Sequence, residues 1–195
     1  MKYYDVEQNT EQWFELRLGK FTASTFNDLF MKPTTKTYQK AIYKVAFERI
    51  TKTRPENFTS QYMERGNELE SEAREKYELQ TFNKVKNGGF WILNDWIGAS
   101  PDGLIGDNGL LEIKCPAFNT AMEYLIKDKI PMNYMRQIQG QLMVANKKWT
   151  DFVVYHPKLK MHITRVFRDN IGIIEQLDNA IVKAKEIIKI YKEKK

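Results

Sequence analysis

Cysteine is nearly absent: the 195-residue chain has one, Cys115. A disulfide framework, a zinc site of several cysteines and a cysteine-ligated iron–sulfur cluster are thereby excluded within one chain. Histidine is scarce as well. His156 and His162 flank a turn, and neither has a cysteine or second acid at ligand spacing, which argues against zinc. Long apolar runs are missing. No stretch approaches the roughly 20 residues that span a bilayer, and the opening M-K-Y-Y-D-V-E-Q-N-T has no apolar signal segment. The expectation is a soluble, reducing, intracellular setting with no membrane partner. No repeat, low-complexity tract or clear linker interrupts the chain, so one domain over residues 1–195 is expected.

Apolar residues make up 42% of the chain, with 11 Phe, 10 Tyr and 4 Trp. That is enough for a full core and argues against disorder. The net charge of +6 sets 31 basic residues against 25 acidic ones. Such a balance allows a polyanionic partner without requiring one.

Helices are predicted over Glu11–Leu18, ended by Gly19, and over Thr25–Phe30, with Thr22 and Ser24 as candidate N-caps. Further helices are predicted over Tyr38–Lys52, broken at Arg54-Pro55-Glu56-Asn57, and over Gln61–Gln80. Three more cover Ala117–Lys127, Asn133–Asn146 and a last segment from Ile171. Strands are predicted over Phe90–Leu93 and Trp96–Ala99 as a hairpin, then over Asp151–Tyr155 and His162–Phe167. This order gives an α/β (or α+β) fold with a mixed central sheet flanked by helices.

The densest chemistry lies between Gly98 and Pro116, G-A-S-P-D-G-L-I-G-D-N-G-L-L-E-I-K-C-P, which reads as two short strands around a Gly-rich turn. Glu112 and Lys114 are two apart, so on a strand they share a face. A hard divalent cation takes oxygen ligands. Asp102 and Glu112 are the candidate ligands, with the backbone carbonyl of Ile113 between Glu112 and Lys114 as a third. Lys114 is placed to contact the attacking water and to stabilise charge in phosphodiester cleavage. The competing reading is a surface ion pair, since E-x-K is short.

At roughly 100° per residue, Gly66, Leu69, Ala73 and Tyr77 fall on one helix face, with Met63 near its edge and Glu70 inside it. Glu64, Glu68, Glu72, Glu75 and Glu78 fall away. A carboxylate on a buried face is costly unless paired or metal-bound. Glu70 is therefore a site candidate, the alternative being a salt bridge to a buried base. Arg17 with Thr22 and Ser24 could form an anion site at a helix start, or be plain N-capping beside a solvated arginine. Gln137 and Gln141 share one flank of their helix and Gln139 the other, and periodicity does not say which faces the site. Cys115 reads as a buried strand-end residue. Lys36, Lys40 and Lys44, and the six lysines from Lys183 to Lys195, read as solvated faces.

Five ordered blocks carry a more specific signal. They are L-R-L-G-K-F-T-A-S (Leu16 to Ser24), R-G-N-E-L-E-S-E-A-R (Arg65 to Arg74), S-P-D-G (Ser100 to Gly103), L-E-I-K-C-P (Leu111 to Pro116) and Y-M-R-Q-I-Q (Tyr134 to Gln139). With them the chain resembles the phage lambda exonuclease type of alkaline nuclease, the YqaJ-like viral recombinases of the PD-(D/E)XK superfamily. The resemblance implies a restriction-endonuclease-like core. It implies Asp102, Glu112 and the Ile113 carbonyl as metal ligands, Lys114 as the catalytic lysine, Glu70 near the metals and Gln137 as the active-site glutamine. It further implies that Arg17, Ser24 and Ser100 hold a 5′-phosphate, with Thr22 as a weaker candidate. The implied activity is 5′→3′ hydrolysis of one strand at double-stranded DNA ends. Mg²⁺ is the implied cofactor, with Mn²⁺ as a substitute. A 3′ single-stranded tail is left for a single-strand annealing protein, in the cytoplasm of a bacterial host, and some relatives form ring-shaped trimers.

Met31 to Gln39 and the segment after Asp169 match the family poorly, and these would carry strand and subunit contacts. A related nuclease group places tyrosine four residues after the glutamine, where this chain has Gln141. That favours the viral exonucleases, and the single cysteine argues against the iron–sulfur members of the other group. The alternatives are a restriction or repair endonuclease on the same core, and a catalytically inactive DNA-end-binding protein.

Overall fold

The structure is a computed structural model that describes residues 1–55 and 61–194, without the side chains of 61–67. The expectations for Glu56, Asn57, Met63, Glu64 and Gly66 lie outside the described residues.

The first strand, β1 (Lys2–Tyr4), precedes α1 (Glu11–Arg17), which Thr10 caps by accepting the Trp13 N–H at 3.3 Å. Gly19, at φ +69°, turns the chain into the two-residue β2 (Phe21–Thr22). A 3₁₀ helix (Ala23–Phe30) and α2 (Lys36–Thr51) follow, then α3 (Gln61–Thr81). Five strands come next: β3 (Val85–Asn87), β4 (Phe90–Asn94), β5 (Ile97–Ala99), β6 (Gly103–Ile105) and β7 (Gly109–Lys114). The chain ends with α4 (Phe118–Lys127), α5 (Met132–Val144), β8 (Trp149–Val154), β9 (His162–Phe167) and α6 (Ile173–Glu193).

The strands divide between two mixed sheets, ordered β1-β4-β5-β2 and β3-β6-β7-β8-β9. In the larger, β7 and β8 run parallel, with Glu112 opposite Phe152 and Lys114 opposite Val154. The helices α4 and α5 make that crossover, as parallel neighbours require. Alternation along β7 gives each side of this sheet its own core. Leu110 joins Phe152, Val154, Ile138 and Leu142 on the α5 side. Leu111 and Ile113 join Val153, Tyr155, Ala73 and Tyr77 on the α3 side. Against the first core, α5 approaches the 3₁₀ helix closely at Gly140, where a Cβ would stand 2.4 Å from Phe26 Cδ2.

The α/β class with mixed sheets and flanking helices is as expected, but several local features differ. Residues 25–30 belong to a 3₁₀ helix that begins at Ala23. Thr22 stands at its N-cap position without making a capping bond, because its hydroxyl is engaged with Arg17 and Ser24. The sequence did not announce β1, β2 and β3, which at two or three residues are too short for an alternation to register. No helix among the described residues is long and apolar enough to cross a membrane.

Candidate active site

Asp102 enters from the turn before β6. Its backbone N–H donates to the Leu111 carbonyl at 3.0 Å, and its Oδ2 accepts the Ile113 N–H at 2.6 Å. The carboxylate is thus folded back over β7. Glu112 is only 1% exposed. Its Oε1 accepts from Lys114 Nζ at 2.5 Å and Gln137 Nε2 at 2.6 Å, and its Oε2 from Gln141 Nε2 at 2.7 Å. Glu112 and Lys114 share a face as strand spacing requires. The helix flank that meets the site is the one carrying Gln137 and Gln141. Gln139 turns away, donating to the Phe167 carbonyl and accepting the Asp169 N–H, each at 2.8 Å.

Glu70 reaches the same place from α3. It forms an ion pair with Arg74 at 3.7 Å, and it lines a cleft with Asp102, Glu112 and Lys114. Arg74 also donates to the Asp102 carbonyl. Burial pushes the Glu70 carboxyl up, and the charges of Asp102 and Glu112 push it further, while Arg74 opposes them. Burial and Asp102 likewise push Glu112 up, against Lys114 and the Gln141 bond. With three donors converging on Glu112, we assign the charged carboxylate. Burial alone would lower Lys114, but Glu112 and Asp102 outweigh it and hold the ammonium protonated.

Among the described residues, no three His, Cys, Asp or Glu side chains stand grouped as a ready metal cluster. Magnesium does not demand one: it keeps several waters and uses one or two carboxylates. Asp102 and Glu112, with Glu70 facing them, supply hard oxygen donors whose mutual repulsion a cation would relieve. Ile113 lines the same cleft, so its carbonyl is available as a third donor. The residues present fit a hard divalent ion.

The second half of the cleft is lined by an arginine and two serine hydroxyls. Arg17 lies over the Trp13 ring at 4.0 Å and donates to Thr22 Oγ1 at 3.3 Å. Thr22 Oγ1 and Ser24 Oγ are 3.4 Å apart. Burial draws the Arg17 guanidinium down to about 10, with Glu48 pulling it back up, so it stays cationic at neutral pH. Ser100 Oγ accepts from Trp13 Nε1 at 2.8 Å and donates to the Gly89 carbonyl at 2.7 Å. Arg17, Ser24 and Ser100 line the cleft of about 440 Å³ that also holds Asp102, Glu112 and Lys114. Thr22 is buried and does not line it, and its hydroxyl orients Arg17 instead.

Sequence reasoning missed several neighbours. Gln8 Nε2 donates to Asp102 Oδ1 at 3.2 Å across 94 residues of chain, and Trp13 reaches Ser100 across 87. No local pattern signals pairs so distant. Arg74 was legible in principle, lying one helical turn beyond Glu70. The Tyr134 ring lies 5.3 Å from Lys114 Nζ, a contact that membership of a sequence block does not signal. Cys115 is half-exposed at the cleft edge rather than buried, because β7 ends one residue before it.

Mixed sheets with an aspartate, a Glu-x-Lys pair and a helix carboxylate meeting at one cleft define the PD-(D/E)XK class. The YqaJ-like viral recombinase domain model matches residues 12–148, and the chain belongs to that family. It is similar over 95% of its length to the alkaline exonuclease LHK-Exo of Laribacter hongkongensis, covering 97% of that protein at 34% identity and a TM-score of 0.88. The same enzyme in complex with dAMP gives a TM-score of 0.89 at the same identity and coverage. A phage-related exonuclease from Haemophilus somnus 129PT shares the fold, with a TM-score of 0.67 at 15% identity over 90% of this chain and 96% of that one. No curated protein matches the chain.

Proposed function

We propose that this protein is a Mg²⁺-dependent exonuclease that degrades one strand of double-stranded DNA from its 5′ end and leaves a 3′ single-stranded tail. One observation carries the reading: a single cleft joins the anion seat of Arg17, Ser24 and Ser100 to the Asp102–Glu112–Lys114 cluster. An enzyme that holds a strand's terminal phosphate at a fixed distance from its cutting groups acts on ends. Family membership and the likeness to an alkaline exonuclease support it. So does that enzyme's complex with dAMP, a nucleoside monophosphate of the kind exonuclease action releases.

Asp102, Glu112 and the Ile113 carbonyl would hold the cation, with Glu70 beside them. When bound, Mg²⁺ (or Mn²⁺) supplies Lewis-acid polarisation of the phosphodiester and acidifies a water at neutral pH. Lys114, kept protonated by its neighbours, orients the attacking water and offsets charge growing on the scissile phosphate. Gln137 donates to Glu112 Oε1 and fixes that carboxylate. Arg17 and the two serines position the 5′-phosphate, and Trp13 holds both Arg17 and Ser100 in place. We read residues 1–195 as one catalytic domain, acting in the bacterial cytoplasm with a single-strand annealing protein.

The test is incubation with linear duplex and Mg²⁺. Mononucleotides should be released from 5′-phosphorylated ends, and more slowly from 5′-hydroxyl ends. Cutting of closed circles would sink the exonuclease reading, and equal rates on the two ends would remove the phosphate seat. A measured solution mass distinguishes a monomer from the ring-shaped trimer that some relatives form.

A further inference from the structure

Outside the cleft, three of the C-terminal lysines form more than a solvated face. Lys185, Lys189 and Lys192 of α6 line a groove of about 980 Å³ together with Arg49 and Lys52 from the end of α2. The acid lining it is Glu193, on the exposed rim and 3.7 Å from Lys189. Asp95 lies at its edge, with its carbonyl accepting from Arg49. Trp96 sits in the groove between cations, with the Arg49 guanidinium 3.4 Å and Lys185 Nζ 5.6 Å from its ring. An aromatic ring thus gathers positive charge that carboxylates leave largely uncompensated.

The groove adjoins the anion seat through one turn. Glu48 Oε2 accepts the Gly19 N–H at 2.7 Å and Arg49 Nε donates to the Gly19 carbonyl at 2.8 Å. This clamps the turn that leaves Arg17. Lys185, Lys189 and Lys192 follow one line of α6 for about 10 Å, the length of about three phosphates along one strand.

We propose that this groove is a second nucleic-acid site, which takes a phosphate backbone without reading its sequence. Cations occupy the Trp96 ring, so phosphates rather than stacked bases are what it can bind. The occupant is a strand lying outside the cleavage cleft, as continuing duplex or as the single strand that resection leaves. An acidic protein segment is the competing occupant. The groove offers it no apolar anchor beyond Ile50, Ile188 and Tyr191, whereas it matches a regular row of phosphates.

Fluorescence anisotropy of the full chain in EDTA reads this without any hydrolysis, so it stands or falls separately from the proposed activity. The probes are a 30-nucleotide oligo-dT and a 30-base-pair duplex, titrated over a series of salt concentrations. The variant Lys185→Ala/Lys189→Ala/Lys192→Ala should lower the slope of log K against log salt by about 2 for a single strand or about 2.7 for a duplex. The probe showing the loss identifies the occupant. The triple Lys→Arg variant should keep the slope, which separates charge from helix integrity. Unchanged slopes with both probes, in a variant with wild-type circular dichroism and Tm, overturn the proposal. So does loss of binding to a polyglutamate peptide with nucleic-acid slopes intact.

Discussion

Glu112 is the residue on which the site converges, with Lys114, Gln137 and Gln141 all donating to its two oxygens. The three donors have different jobs. Lys114 alone carries charge toward the cleft, so Lys114→Ala should lower kcat by about 10²–10³-fold while DNA-end affinity by anisotropy changes little. A parallel loss of end binding would show that the lysine serves grip rather than chemistry. Gln141 works differently. It is 1% exposed, and the amide that donates to Glu112 also reaches the Ser100 carbonyl at 3.3 Å. It thereby ties Glu112 to the half of the cleft that Ser100 and Arg17 line. Its Oε1 is buried with no hydrogen-bond partner among the described residues, so the residue is held for its donor. Gln141→Leu should cost about 1–3 kcal/mol by urea melting and raise the Mg²⁺ concentration for half-maximal activity about 10–100-fold. An unchanged Mg²⁺ requirement would reduce Gln141 to a packing residue. At this scale the sequence showed which residue types mattered. It could not show which helix flank faced inward, because a period of 3.6 fixes relative angles and not the absolute rotation of α5.

Among the elements, α3 determines where Glu70 stands. The helix is pinned seven residues further on, where Tyr77 donates to Asp151 Oδ2 at 2.6 Å. Asp151 is itself buried and held by Arg165 at 2.8 and 2.9 Å. Tyr77→Phe leaves a buried carboxylate short of one donor and should destabilise the protein by about 1–3 kcal/mol in urea melts. A neutral result would mean that Arg165 alone satisfies Asp151. The contact between α5 and the 3₁₀ helix is as exacting. Gly140→Val would drive a side chain into Phe26, and such overpacking typically costs about 1–3 kcal/mol. It should also displace Gln137 and Gln141, lowering activity together with Tm, whereas activity lost at unchanged Tm would contradict a packing cause. The long helices were legible because apolar residues recur along them over several turns. The helix over residues 25–30 was legible too, but its 3₁₀ winding and its start at Ala23 were not, since it packs under α5 and Thr22 is tied to Arg17, and neither is a local property.

Over the whole molecule, the site gathers Asp102, Glu112 and Glu70 against Lys114 and Arg74, in a chain whose net charge is +6. A cation binding these carboxylates in the folded state alone must stabilise the fold. At about 100 times its dissociation constant the gain is about 2.7 kcal/mol. Adding Mg²⁺ should therefore raise Tm, EDTA should reverse the rise, and Asp102→Asn should abolish it. An equal Tm with Mg²⁺ and with EDTA would remove the metal assignment.

The sequence by itself determined the α/β class, the hairpin carrying Asp102, the shared face of Glu112 and Lys114, and the family, because each rests on short-range spacing or on ordered local blocks. Tertiary structure alone decided that Gln8 and Trp13 close on Asp102 and Ser100. It also decided that Gln141 bridges the two halves of the cleft, and that lysines at the end of α6 meet Arg49 and Trp96 from α2 and the β4–β5 turn. Those meetings depend on how helices and sheets pack, and the chain's local periodicities carry no information about which distant surfaces will touch.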